Sequence, residues 1–455
     1  MTGASLSAAL RKVLRRGLRL VLKKESASAL VLAIGLNLAF MGLAAVAGIA
    51  RPPVNLDFLL AAFLLHKGPW GRAAAVVLVL IGITYEIYRY VAGVYLFDLS
   101  QLLDVFGYMQ AWPLTEVARY VAGLLLAAGV LLGMGKFASR FRFRNAALLG
   151  VGLMLAAFDG AAHGQGRFSL APPPAQTELR LAYTSFGAAS ELVAAHLNGG
   201  GKAGAPLTGV KSYETALAAK GKGDVLLIAA ESLGVFDDPA RQAAFQAEIA
   251  QALGAPDAAF GVETSKGVTI DGELRMLCRT GFGAPDHSIA HAKGYCLPRL
   301  FSEAGYVTAA AHAYDGAFYK RTERYPKLGF QRARFLDPER DRRCEGAFPG
   351  GCDADALHRL LATPAGPNGR FLYQLTLETH LPQPECGGLA DPIAAYRCKH
   401  LAYFARLGQT LRTLDRPTTV VIVGDHPPPF PGAEQRKQFK PGAVTFVTFE
   451  VSAKG

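Results

Sequence analysis

The stretch Asp224-Val-Leu-Leu-Ile-Ala-Ala-Glu231-Ser-Leu-Gly234 decides how the chain folds. Its apolar run is too short to span a membrane and does not alternate, so it reads as a strand buried on both faces. It stops on a carboxylate and a hydroxyl. Three more runs share this form. Val307-Thr-Ala-Ala-Ala-His312 leads into Ala-Tyr-Asp315, and Phe371-Leu-Tyr-Gln-Leu-Thr-Leu377 into Glu378-Thr379-His380. Thr418-Thr-Val-Val-Ile-Val423 leads into Gly424-Asp425-His426-Pro-Pro-Pro429. Helical patterns fall between the strands at 186–197, 239–253, 296–305, 354–362 and 393–413. Buried strands separated by helices predict an α/β domain with a mostly parallel sheet covered on both faces. Such sheets bind ligands at the carboxyl ends of their strands, so four ends carrying metal-type side chains are expected to converge.

The rest of the chain has a different character. Of 455 residues, 51% are apolar and mean hydropathy is +0.21, which excludes disorder and is rare for a soluble domain. The 50 Gly and 26 Pro follow no fixed period, which excludes a collagen-like fibre. Residues 1–144 hold 16 Lys/Arg and 6 Asp/Glu, so +10 of the net +12 sits there. Five apolar segments, near 27–50, 55–66, 73–94, 117–135 and 145–161, fall in this region or directly after it; the first, third and fourth are long enough to cross a bilayer. Basic residues alternate between the connections. The N-terminal part carries Arg11, Lys12, Arg15, Arg16, Arg19, Lys23 and Lys24, and the connection after segment four carries Lys136, Arg140, Arg142 and Arg144. After segment one there is only Arg51, and residues 95–116 have no Lys or Arg. This predicts a cytoplasmic N-terminus, five crossings and a C-terminal part outside the cytoplasm. The basic excess therefore reads as a topology signal rather than as a nucleic-acid surface, with anionic-lipid binding as an alternative. Residues 1–161 form the expected transmembrane anchor, 162–180 (His-Gly-Gln-Gly-Arg and Ala-Pro-Pro-Pro-Ala among them) a linker, and 181–455 the outer domain. Glu86 and Arg89, three residues apart on segment three, read as a structural ion pair or as the lining of a lipid access route.

All six cysteines (Cys278, Cys296, Cys344, Cys352, Cys386 and Cys398) lie in the outer part, an even count that suits disulfides in an oxidising compartment. The sequence-local pairing 278–296, 344–352 and 386–398 is expected; a zinc site is the competing reading, without any Cys-x-x-Cys to support it.

Glu231, Asp425 and His426 offer two hard carboxylates and an imidazole, a set that suits Mn²⁺, Zn²⁺ or Mg²⁺. The nucleophile is sought in Thr264-Ser-Lys-Gly-Val-Thr269-Ile-Asp-Gly-Glu273. A hydroxyl needs activation by a cation or base. Gly267 permits a tight approach, and the residues after it are expected to open a helix whose amides receive a phosphate. Thr269 is the leading candidate, a plain N-cap is its alternative role, and Thr264 and Ser265 are the other candidates.

In order and spacing, Glu-Ser-Leu at 231–233, Gly-x-Thr-x-Asp-x-Glu at 267–273 and Gly-Asp-His at 424–426 resemble the lipoteichoic acid synthase-like and phosphoethanolamine transferase-like membrane enzymes of the alkaline phosphatase/sulfatase superfamily. The resemblance implies a sulfatase-like catalytic domain. One divalent metal ion would be held by Glu231, Thr269, Asp425 and His426, and Thr269 would form a phospho-enzyme. His312-Ala-Tyr-Asp-Gly-Ala-Phe-Tyr319-Lys-Arg321 is similar to the family's substrate segment, which carries His312, Tyr319, Arg321 and, from Thr-His-Leu-Pro, His380 over as head-group ligands. The cysteine pairs beside His380 look more like the phosphoethanolamine branch. The implied activity moves a phospholipid head group, of phosphoglycerol type first and phosphoethanolamine second, onto a glycan or lipid acceptor. A membrane-tethered hydrolase is the alternative. The implied place is the bacterial inner membrane, with the catalytic domain periplasmic and no nucleic-acid partner. A strict sulfatase would need Cys/Ser-x-Pro-x-Arg, and Cys296-Leu-Pro298 is followed two residues on by Leu300.

Overall fold

The computed structural model describes residues 27–47, 51, 54–64, 68–95, 182–185, 206–280, 289, 294–344, 350–381, 386, 388–430 and 432–453. The segments expected at 117–135 and 145–161, the linker at 162–180 and the helix at 186–197 lie outside these residues. The chain divides into two compact units, the second of which contains residues 198–455.

In the first unit, helices α1 (Ala27–Ala47), α2 (Leu56–Leu64) and α3 (Gly68–Tyr95) fall on the first three apolar segments. Among the described residues, one stretch, Gly68–Tyr90, is long and apolar enough to cross a membrane. It leaves Val76, Val77, Leu80 and Ile87 exposed, an apolar surface that suits lipid better than water. Glu86 is buried and accepts from Arg51 Nη2 (2.7 Å) and Asn55 Nδ2 (3.3 Å). Its ion pair thus runs to the connection after α1, a partner that helical spacing along α3 could not reveal. Strand β1 (Val54–Asn55) pairs in parallel with β2 (Ala182–Tyr183), and Asn55 Nδ2 donates to Ser185 Oγ (2.7 Å).

The second unit is a sheet between two helical layers. Strands β3 (Asp224–Ala230), β4 (Gly234–Phe236), β5 (Ala259–Thr264), β6 (Val307–His312), β7 (Arg332–Arg334), β8 (Arg370–Leu375), β9 (Thr418–Gly424) and β10 (Phe439–Val451) form it in the order β4-β10-β9-β3-β8-β6-β7, with β5 also on β10. Helices α4 (Lys211–Ala218), α5 (Pro239–Leu253), α6 (Thr269–Cys278), α7 (Leu297–Glu303), α8 (Arg321–Leu328), α9 (Asp353–Leu361), α10 (Pro392–Leu411) and the short α11 (Ala433–Arg436) connect the strands. β3 shows why the sheet needs two covers. Val225, Leu227 and Ala229 enter one core with Tyr213, Leu274, Phe301 and Tyr325, while Leu226, Ile228 and Ala230 enter the other with Phe245, Leu357, Phe404 and Leu407. Each fully buried Leu or Phe contributes about 2 kcal/mol relative to exposure.

The sheet is mixed, which sharpens the expectation of a mostly parallel one. β9, β3, β8, β6 and β7 are parallel neighbours, whereas β10 is antiparallel to β9, β4 and β5. β10 follows β9 in sequence through one short helix, and consecutive strands joined without a long crossover pair antiparallel. All four strand ends named from the sequence lie on the parallel part and point the same way.

Candidate functional site

β3 ends in a forced corner. Ser232 takes φ 59°, a left-handed conformation that costs a non-glycine residue about 1–3 kcal/mol. Hydrogen bonds hold it there: Glu231 N–H donates to Thr376 Oγ1 (2.8 Å), Ser232 N–H to Asp425 Oδ1 (2.8 Å), and Ser232 Oγ to Glu231 Oε1 (2.7 Å). The Glu231 carbonyl accepts from Thr379 Oγ1 (2.9 Å) and faces His400 Nε2 (3.2 Å). The corner turns the Glu231 carboxylate toward the end of β9.

There Asp425 Oδ1 receives a second amide, from His426 (2.8 Å), while Asp425 Oδ2 is buried with no hydrogen-bond partner. His426 Nε2 lies 3.4 Å from Glu231 Oε1 and 3.5 Å from Asp425 Oδ2, and one ligand atom from each of the three residues falls within 4.8 Å of the others. His380 Nε2 stands 3.9 Å from Glu231 Oε1. Arg275 locks the β9 corner from below, donating to Gly424 O (2.7 Å), Asp425 O (3.2 Å) and the Glu263 carboxylate (2.7 Å).

Burial and the neighbouring Glu231 charge push Asp425 up to about 6. Burial opposes a charge on His426, yet the Asp425 and Glu231 carboxylates hold it above its usual value. Burial, with the nearby His426, pushes His380 down to about 4. An orphaned carboxylate oxygen beside a second carboxylate and an imidazole is the donor set of a divalent cation, and desolvating it without one is costly. The residues therefore fit a metal. Affinity for Mn²⁺ or Zn²⁺ is expected to rise with pH from about 6, where Asp425 sheds its proton, to above the usual histidine range, where His426 does. Calorimetric titration across that range checks this, and a flat affinity would rule out these ligands.

Thr269 occupies the first position of α6, and the N-cap is Val268. Asp271 does the capping by reaching back to accept from Val268 N–H (3.0 Å). Gly267 makes this possible: its φ is +77°, and a Cβ there would meet Asp271 Oδ2 at 2.0 Å. Gly272, one turn after Thr269 on the same face, packs so closely that a Cβ would lie 2.5 Å from the Asp425 carbonyl oxygen. The start of α6 is thereby brought against the Asp425 corner. Of the other hydroxyls considered, Ser265 Oγ donates to Asp425 O (2.8 Å) and Thr264 is exposed at the end of β5.

His312, at the end of β6, donates from Nδ1–H to Leu375 O (3.0 Å); burial and the Arg321 guanidinium hold it well below its usual pKa, so it is neutral. Tyr319 and Lys320 adopt left-handed φ of 53° and 51°. Arg321 is buried, with its Cζ 5.1 Å from the Tyr319 ring centroid, and its Nε donates to Glu273 Oε2 (2.9 Å). Glu273 also accepts from Tyr373 Oη (3.2 Å) and Tyr325 Oη. Asp315 accepts from Ala317 N–H (2.8 Å) and caps that turn. All three expected disulfides, 278–296, 344–352 and 386–398, are formed, which leaves no cysteine for zinc among them.

Glu273, Gly272, Thr376, Thr379 and His400 were not singled out by the sequence. Gly272 and Glu273 lie inside the motif around Thr269, and Thr376 and Thr379 inside the strand run that ends at His380; His400 carried no signal.

Residues 279–444 match the family model described as Sulfatase, a stretch that includes His312, Tyr319, Arg321, His380, Asp425 and His426. The capsular polysaccharide biosynthesis protein RkpI of Rhizobium meliloti is 32% identical over 153 residues, which cover 30% of this chain and 27% of that protein, about a quarter of its length. Among solved structures, the chain is similar to the Streptococcus pyogenes phosphoglycerol transferase GacH in complex with sn-glycerol-1-phosphate (17% identity, 56% of this chain and 79% of that one, TM-score 0.38). It is similar to the lipoteichoic acid synthase LtaP from Listeria monocytogenes (21% identity, 50% and 66% coverage, TM-score 0.37). The C-terminal periplasmic domain of EcEptC from Escherichia coli in complex with Zn is a third (15% identity, 51% and 73% coverage, TM-score 0.37).

Proposed function

We propose that the protein is a membrane-anchored phosphotransferase that moves a phospholipid head group, of phosphoglycerol type, through a phospho-Thr269 intermediate onto a glycan or lipid acceptor of the cell envelope. The observation that carries this is the buried, unpartnered Asp425 Oδ2 beside Glu231 and His426, with the start of α6 packed against that corner. Glu231, Asp425 and His426, with Thr269, would hold one divalent cation. When bound, it would favour ionisation of a hydroxyl and offset charge on phosphoryl oxygens.

The chain's own groups supply the rest. Thr269 Oγ1 attacks the phosphorus of the donor lipid, the bond from phosphorus to the diacylglycerol oxygen breaks, and that oxygen takes up a proton as diacylglycerol leaves. His380 and His312, both held neutral by burial, offer ring nitrogens to the head group. Arg321 is permanently charged and aimed by Glu273, and it faces the negative charge of the transferring group. An acceptor hydroxyl then displaces Thr269 and restores the free enzyme. The similarity to a protein named for capsular polysaccharide biosynthesis supports a glycan acceptor. Three disulfides support an oxidising compartment, and the charge alternation supports five crossings with a cytoplasmic N-terminus and a periplasmic catalytic domain in a bacterial inner membrane. Phosphoethanolamine is the second head group, favoured by the cysteine pairs beside His380.

Purified protein given labelled phosphatidylglycerol or phosphatidylethanolamine with Mn²⁺ is expected to release diacylglycerol, faster from the former. The protein should gain the mass of the head group on Thr269. Faster release from phosphatidylethanolamine would reverse the head-group preference. Release of free head-group phosphate without any acceptor transfer would favour the hydrolase. No release from either lipid would defeat the transferase.

A further inference from the structure

The two histidines assigned to the head group sit on separate strand ends, His312 closing β6 and His380 following β8, and something must fix the spacing between their loops. The segment 350–353, where the Cys344–Cys352 loop runs into α9, touches both. Gly351 N–H donates to Ala313 O (2.8 Å), directly after His312. Asp353 is fully buried, and its carboxylate accepts from Leu377 N–H (Oδ2, 2.9 Å) and Glu378 N–H (Oδ2, 2.8 Å). Asp353 returns the favour through its own N–H, which donates to Glu378 Oε1 (2.8 Å), while its carbonyl accepts from Gln374 Nε2 (2.8 Å). His380 N–H then closes the turn onto Leu377 O (3.0 Å), and Thr379 Oγ1 ties it to Glu231 O (2.9 Å). A buried carboxylate is expensive to desolvate and is kept where its bonds do something specific.

We propose that Asp353, at the base of the disulfide-closed loop 344–352, is the positioning residue that sets His380, and through Gly351 the His312 loop, at the spacing the lipid head group requires. The claim rests on the transferase reading for its chemistry, though not for its geometry. Asp353 touches neither substrate nor the cluster of Glu231, Asp425 and His426, so its loss is a loss of aim. Burial and the Glu378 carboxylate push Asp353 up to about 7, opposed by the amides of Glu378 and Leu377 and by Arg406. Tyr403 is the other titratable group facing it, and its own pKa is raised by burial and by Asp353. Protonation removes the charge that strengthens both amide hydrogen bonds, so the grip is firmest above about pH 7 and loosens below it.

The test uses the full chain as wild type, Asp353→Ala and Asp353→Asn. Amide hydrogen exchange at Leu377 and Glu378 is expected to accelerate at least tenfold in Asp353→Ala, with a smaller gain in Asp353→Asn, which keeps one acceptor oxygen. Mn²⁺ affinity should stay within about twofold, because no cation ligand has moved. With phosphatidylglycerol as donor, kcat/KM should fall by as much as ~100-fold in Asp353→Ala, mostly through KM. The pH dependence of KM near 7 should disappear in Asp353→Asn. Unchanged exchange at Leu377 and Glu378 would overturn the proposal, as would a wild-type KM in Asp353→Ala. If the wild type transfers no head group at all, the chemical reading fails on its own, and the exchange experiment still decides the positioning claim. Should Asp353→Ala fail to fold, Asp353→Asn with the same readouts decides it.

Discussion

Thr269→Ala is expected to lower head-group transfer by at least ~1,000-fold while the protein folds, inserts and binds Mn²⁺ nearly as before. Fold and chemistry can be separated here because Thr269 does not carry the helix start. Val268 is the N-cap and the Asp271 carboxylate supplies the capping bond. Alanine at the first helical position gains up to about 0.5 kcal/mol of helix propensity over threonine. No capping bond is lost, so thermal stability should move by a degree or two at most. Asp271→Ala makes the contrast, since it should cost about 1 kcal/mol of stability by removing the cap itself. Thr269→Ser keeps a primary hydroxyl and should retain measurable transfer, along with the head-group mass on residue 269. Full activity in Thr269→Ala would sink the nucleophile assignment and reopen Ser265 and Thr264. Ser265 is the weaker substitute, because its hydroxyl already donates to Asp425 O.

How much of this could be read from the chain depends on the range of the interaction involved. The four strands ending in chemistry were legible because a strand buried on both faces leaves an unbroken apolar run, and such a run needs no partner to be recognised. β3 and β6 begin and end where the sequence places them, and α5 matches 239–253 residue for residue. Convergence of Glu231, Asp425, His426 and His380 followed from the rule that parallel strands present one common end to ligands. β10 was missed. Its Val-Thr-Phe-Val-Thr-Phe pattern serves two faces of an antiparallel margin, and no local signal marks Lys440-Pro-Gly442 as part of the same strand. What holds the site in shape was also invisible. His400 reaches the Glu231 carbonyl across 169 residues, and Asp353 reaches the His380 loop across 24. Hydrogen bonds over such separations leave no periodicity. Arg321 shows the limit most clearly: the resemblance marks it as a head-group ligand, but nothing in the sequence says that a carboxylate from α6 holds its guanidinium.

That carboxylate gives the largest expected effect on stability. Glu273→Ala should destabilise the sheet-containing domain by about 3–5 kcal/mol, enough to lower Tm by roughly 10 °C or more in a domain of this size. Both members of the Glu273–Arg321 pair are about 1% exposed, so removing the acid leaves a guanidinium in the core with no counter-charge. The hydroxyls of Tyr325 and Tyr373 lose their acceptor at the same time. Glu273→Gln keeps the shape and an acceptor oxygen but not the charge, and it should fall between Glu273→Ala and wild type. The decisive comparison is the double variant Glu273→Leu with Arg321→Met, which removes both charges and fills the space. It should recover more than half of the loss suffered by Glu273→Ala, because a buried ion pair contributes little net stability over an apolar pair while half a pair is costly. Denaturant unfolding of the three variants measures this directly, and additive losses in the double variant would mean that the two side chains do not act as a pair. Transfer activity should not recover with stability, since Arg321 would be gone. Stability restored without activity would show that Glu273 serves the fold by neutralising Arg321 and serves the reaction by aiming it.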